Sequence, residues 1–146
     1  MARTHPVILD HLNGIRNAII AGGFNFPIEQ YRRPQDGDMK YVDPPYLVLR
    51  TFPSADQTDG PLSDSDADII LRFQTMGVGF DEDQAINIVD RVRPRMQREL
   101  ITITGRRVMD VRGMIVTGGA NIDNNLPTPF YYSHDIWEVW TTPSSS

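Results

Sequence analysis

Apolar residues between Pro6 and Ala21 recur at helical spacing. Ile8, Leu12, Ile15 and Ile19 are separated by four, three and four positions, which sets them along one face of a helix. Thr4 can cap its start, Pro6 suits the first turn, and Gly22-Gly23 ends it. Gly14 within this helix costs about 1 kcal/mol relative to Ala, a cost that a close neighbour at that position would explain.

The period then shortens. Phe24 to Pro45 is rich in turn formers, with short candidate strands at Phe26–Tyr31 and Met39–Val42. Pro45 to Phe52 is a compact β-branched and aromatic run closed by Pro53, and Ser54 to Asp66 is a polar, acidic loop. From Asp68 to Val78 the chain alternates: Ile69, Leu71, Phe73 and Thr75 form the core-facing set, and Ile70, Arg72, Gln74 and Met76 the other.

Phe80 to Arg93 is the clearest helix, with Asp81, Glu82 and Asp83 at its start and arginines towards its end, both favourable to the helix dipole. Ala85, Val89, Val92 and Met96 make its buried stripe, and Pro94 kinks it or divides it near Arg93. Beyond Leu100 come two short strands, Arg107–Arg112 and Met114–Thr117, then a loop from Gly118 to Pro129. A long strand follows from Tyr131 to Thr142, with Ile136 and Glu138 on one face and Asp135, Trp137 and Val139 on the other. Residues from about 143 to 146 are expected to fray. Neither a repeat nor a boundary interrupts residues 1–146, so one domain is expected.

Gly and Pro contribute 11 residues each, which calls for long irregular connections between elements. The formal net charge of −5 is opposite in sign to that of a free-standing nucleic-acid binder. The absence of cysteine excludes disulfides, thiolate zinc sites and a cysteine nucleophile. No apolar stretch approaches bilayer length, and Met1–Pro6 lacks the layout of a secretory leader. The chain is therefore expected to be made and assembled inside the producing cell, with no membrane partner.

Candidate chemistry is sparse. Gly77-Val-Gly79 has the position of a phosphate-binding turn, but Glu82 replaces the third glycine of the dinucleotide pattern. Three acids also stand where an anion would dock, so a tight strand-to-helix turn is preferred. Asp64, Asp66 and Asp68 alternate as in a calcium loop, yet Ile69 occupies the required glycine position and no bidentate Glu follows. A solvated loop leading into a strand is the better reading.

His5, His11 and His134 form no metal-binding pair. Ser133-His134-Asp135 brings together the residue types of a hydrolytic triad. Successive strand residues point to opposite faces, however, so they cannot relay a proton. No catalytic residue, metal ligand or cofactor is expected.

Two features suit contact with other molecules. Arg91, Arg93, Arg95, Arg98, Arg106 and Arg107 form the one basic cluster, and at helical spacing Arg91, Arg95 and Arg98 share a face. That face is a solvated helix end, a contact for DNA passing nearby, or a partner for the acidic loop Asp56–Asp68 of a second copy. Phe130, Tyr131, Tyr132, Trp137 and Trp140 gather aromatic residues near the C-terminus. Trp137 and Trp140 fall on opposite sides of a strand, so one can fill the core while the other meets a partner. The candidate interface residues are accordingly Asp59, Asp64, Asp66, Arg91, Arg95, Arg98, Trp137 and Trp140.

The order Pro44-Pro45-Tyr46-Leu-Val-Leu-Arg-Thr-Phe-Pro53, Asp59-Gly-Pro-Leu-Ser-Asp64, Ala67 to Val78, Gln84-Ala85 and Val89-Asp-Arg-Val-Arg93 resembles the small tail terminator proteins of long-tailed bacteriophages. The resemblance spans about Pro44 to Met96, and Pro94 departs from it at the end of the helix. It implies an α+β fold, a mixed and mostly antiparallel sheet with two main helices packed on one face. It also implies a homo-oligomeric ring of six, capping the tail tube protein, ending tail polymerisation and joining the head-to-tail connector or stopper. DNA would pass through such a ring without specific recognition, and the protein would reside in the virion. A neighbouring neck component, such as a stopper or head-completion protein, is the alternative. A nucleic-acid module using Arg91 to Arg98 comes third.

Overall fold

The computed structural model describes residues 7–30, 43–51, 56–57, 68–116, 119–123 and 129–144. The first helix, α1, spans Val7–Ala21. Leu12, Ile15 and Ile19 of its predicted stripe are fully buried, and Ile8 packs against the same cluster. Gly14 has the neighbour its position requires, since a Cβ there would collide with the Thr102 carbonyl oxygen and the Ile103 side chain. Gly22 and Gly23 donate to the carbonyls of Ile19 and Ile20, and Gly23 adopts a left-handed φ of 86°, which ends the helix. Thr4 and Pro6 lie outside the described residues.

The strands are β1 (Ile28–Gln30), β2 (Tyr46–Thr51), β3 (Asp56–Gln57), β4 (Ile69–Gly79), β5 (Arg106–Val116), β6 (Asn121–Asp123) and β7 (Phe130–Pro143). The main path runs β1-β2-β4-β7-β5, with β3 added to β4 and β6 to β7. The β1–β2 pair is parallel and all others are antiparallel. Helix α2 (Glu82–Val92) follows β4 and continues into a 3₁₀ turn, η1 (Arg93–Arg95). Pro94 causes that change, because it lacks the N–H that would extend the ladder. The fold is thus α+β, as the resemblance implied.

Both helices pack on one face of the sheet. Leu12, Ile15, Ala18 and Ile19 of α1 and Ile88 and Val92 of α2 share one cluster with Leu47, Leu49, Ile69, Leu71, Phe73, Trp137 and Val139. The alternation expected along β4 and β7 is observed: Ile69, Leu71, Phe73 and Thr75 are buried, as are Asp135, Trp137 and Val139. Tyr46, Val48, Val78 and Phe130 form a second, smaller cluster on the opposite face, with Met76 and Tyr132 against it. The alternation of β4 gives no hint of this cluster, because Met76 shares its face with Arg72 and Gln74.

Several boundaries are corrected. The Ser54–Asp66 loop contributes Asp56–Gln57 to the sheet, paired with Ile69 and Ile70. The two strands expected at Arg107–Arg112 and Met114–Thr117 are one, β5, whose register against β7 shifts between Val108 and Asp110 and between Gly113 and Ile115. Each shift inserts an extra residue without ending the pairing. The loop expected from Gly118 to Pro129 contains β6. At the expected frayed end, Pro143 still belongs to β7 and the Ser144 N–H donates to the Gly105 carbonyl. The candidate strand at Met39–Val42 lies outside the described residues.

Candidate assembly surfaces

The α2 N-terminus is closed by its own side chains. The Asp81 carboxylate accepts from the Gln84 N–H at 2.8 Å, and Gln84 Oε1 accepts from the Phe80 N–H at 2.8 Å. This reciprocal cap uses donors that a phosphate would need. Gly77 and Gly79 serve packing. A Cβ at Gly77 would lie 2.7 Å from the Ala85 carbonyl oxygen, and one at Gly79 would lie 2.8 Å from the Ala85 nitrogen. The glycines let α2 rest directly on the end of β4.

The arginines do not share a helical face. Helix α2 ends at Val92, so residues beyond it depart from the spacing that the sequence reading assumed. Arg91 lies over the Phe26 ring, 5.4 Å from its centroid. Arg95 donates from Nε to the Ala18 carbonyl at 2.8 Å, joining η1 to α1. Arg98 pairs with Glu99 at 3.0 Å in an exposed contact, whose contribution to stability is small. The Glu99 carboxyl is held below its usual range, first by its own backbone N–H and then by Arg98.

Arg93 has a different role. Its Nε and Nη2 donate to the two carboxylate oxygens of Asp135 at 2.8 and 3.0 Å, and its Nη1 donates to Asp90 at 2.9 Å. The Asp135 side chain is wholly buried, whereas that of Arg93 is 27% exposed. The Asp135 hydrogen bond raises the guanidinium above its ordinary pKa despite burial. The bidentate pair therefore fixes the start of η1, directly after α2, against β7.

The other buried polar groups also link elements. Thr141 Oγ1 lies 2.7 Å from His11 Nε2 and accepts from Arg106 Nε at 2.9 Å. Thr75 Oγ1 accepts from Trp137 Nε1 at 3.0 Å. Ser133 and Asp135 are buried on the helix side of β7, while His134 stacks beside Tyr132 on the other face. The three therefore form no relay. Among the described residues no three His, Cys, Asp or Glu side chains gather as a metal site. Among those residues, too, no helix is long and apolar enough to cross a membrane.

The two tryptophans separate as expected, and the division decides their roles. Trp137 is 7% exposed and belongs to the core, so it is withdrawn as a contact residue. Trp140 is 38% exposed on the face away from the helices. It lines a shallow cavity of about 210 Å³ with Ile70, Asp110, Arg112 and Glu138. Arg50–Gln74 and Arg72–Glu138 contacts continue this polar face across the sheet. Asp59, Asp64 and Asp66 lie outside the described residues.

The most exposed apolar run among the described residues was not among the expected contact residues. Met114, Ile115 and Val116, at the end of β5, are 47, 53 and 55% exposed. Isolated exposed apolar residues are ordinary, but three in succession on a sheet edge are not. Their lack of alternation was the available signal, since a strand with one buried face alternates.

Neither a family model nor a curated protein matches the chain. A chain in the virion of a native gene transfer agent (GTA) particle shares the fold, with a TM-score of 0.61 and 10% sequence identity. The correspondence covers 94% of this chain and 98% of that one.

Proposed function

We propose that this protein is a structural component of a phage-like particle, and specifically a tail terminator. In this reading six copies form a ring on the finished tail tube, stop its growth and present the surface that the head connector or stopper meets. The observation that carries the reading is the end-to-end fold correspondence with a virion chain, together with the Pro44–Met96 resemblance to terminators. Shared fold alone does not specify function, so the sequence resemblance supplies the narrower role. The surface features agree with it: an apolar sheet edge and an exposed tryptophan suit protein contacts.

The task needs no bond chemistry. Growth stops when one face of a subunit fits the tube end and the opposite face offers no second copy of that end. We therefore read the protein as a non-enzyme that needs no cofactor. DNA passes through the ring without specific recognition. Dispersal of the arginines among separate intramolecular partners weighs against a dedicated nucleic-acid module.

Tails purified from a capsid-defective mutant test the role, because a terminator remains on such tails whereas a stopper is lost. Deleting the protein should give tubes of uncontrolled length, measured by electron microscopy. Tubes of normal length in its absence would remove the terminator reading and favour the neighbouring neck component.

A further inference from the structure

The sheet has two lateral edges with complementary properties. Between Val108 and Val116, β5 pairs only with β7 among the described residues, and β1 pairs only with β2. Strand sense follows from the pairings. β1 runs parallel to β2, and three successive antiparallel pairs then lead through β4 and β7 to β5. Hence β5 runs opposite to β1. Copies placed side by side by rotation about an axis along the strands keep their strand sense, so β5 of one meets β1 of the next antiparallel.

Side-chain facing agrees with this arrangement. Glu29 lies beside Val48, and Arg112 beside Glu138, which puts both on the face away from the helices. The Arg112 side chain is 62% exposed, and its ion pair is with Asp110, a half-buried residue of the same strand. An antiparallel register with Glu29 opposite Arg112 also brings the exposed Pro27 beside Met114. The backbone edge of the exposed apolar run Met114–Val116 would then be covered by the neighbouring copy. Pro27 has no N–H to lose, so it tolerates the margin of such a ladder.

We infer that β5 of one copy adds to the β1 edge of the next, with Arg112 facing Glu29 and Met114 beside Pro27. This inference rests on the ring reading and supplies its contact. The interface is heterologous, joins two different edges and closes by rotation. Closure leaves no free sheet edge, which removes the hazard that an exposed apolar edge otherwise carries.

Engineered cysteines test the contact, because the chain has none of its own. Within one copy, four strand spacings of about 4.8 Å separate β1 from β5, well beyond disulfide reach. Any disulfide between the two substituted positions must therefore join two copies. The Glu29→Cys, Arg112→Cys double variant, oxidised at millimolar concentration, should give a ladder of covalent species ending in a closed ring. Mixing the two single variants should give dimers only.

Circular dichroism would confirm that each variant is folded. Folded double variants that yield no ladder would overturn the inference. Covalent dimers from Arg112→Cys alone would also overturn it, since they would mean that β5 pairs with itself about a two-fold axis. A ladder from a protein that leaves tube length unaltered would sustain the contact and defeat the terminator role. Controlled tube length without a ladder would do the reverse.

Discussion

The β4–β7 pair and the end of β5 belong to one sheet but obey different rules. Along β4 and β7 every second side chain is buried beneath the helices, and the polar ones among them have specific partners: Thr75 with Trp137, and Asp135 with Arg93. Along β5 the half-buried run Val108 to Val111 gives way to Arg112 to Val116, all exposed. The first region is completed within the chain. The second has the apolar composition of a core with neither helix nor strand over it among the described residues, which is the character of a surface awaiting a partner. A hydrophobic sequence therefore does not by itself identify a core; the layer above it does.

The largest expected effect comes from removing the centre. Phe73→Ala should lower unfolding stability by about 3–5 kcal/mol, seen as a reduced denaturant midpoint with little change in slope. Asp135→Ala should cost about 2–4 kcal/mol, because Arg93 would lose its buried partner. Partial exposure of Arg93 keeps the expected loss below that of a wholly buried pair. The raised pKa of Arg93 means that its own contribution is complete below the unfolded value and is lost only as pH rises through the still higher folded value. Between about pH 6 and 9 it should therefore add no slope to stability, which titration of the wild type against Asp135→Ala can check.

Thr75→Val sharpens the comparison on a smaller scale. It keeps the shape of the side chain but leaves the Trp137 N–H without its acceptor, for a cost of about 1–3 kcal/mol. Tryptophan fluorescence would report the altered surroundings. Ile115→Ser should have the smallest effect on the isolated chain, within about 0.5 kcal/mol, yet it should reduce assembly measured by light scattering. A loss at Ile115 as large as that at Phe73 would show that the β5 edge is a folding core after all, and the contrast would disappear.

Legibility followed the same division. Both helices, the core face of β4 and the opposite facing of the two tryptophans were readable, because each rests on local periodicity or on an element-ending residue such as Gly22 or Pro94. The arginine face was misjudged because helical spacing was extended past Pro94. The unbroken apolar run Met114–Val116 was visible as a lack of alternation, but only the strand order showed that it lies at a sheet edge rather than in the core. The second apolar cluster was hidden for a related reason: Tyr46, Val48, Val78 and Phe130 come from three strands, and only their pairing brings them together.

Local order thus belongs to the amino-acid sequence alone: the period of each segment, the residues that end it, and the lack of any thiol chemistry. Tertiary structure decided the strand order, the parallel β1–β2 pair, the Arg93–Asp135 link over 42 positions and the two unlike edges. Periodicity records which way a side chain points, but not what stands opposite it. That depends on contacts between distant segments, whose cost in chain entropy is repaid only when the whole sheet forms.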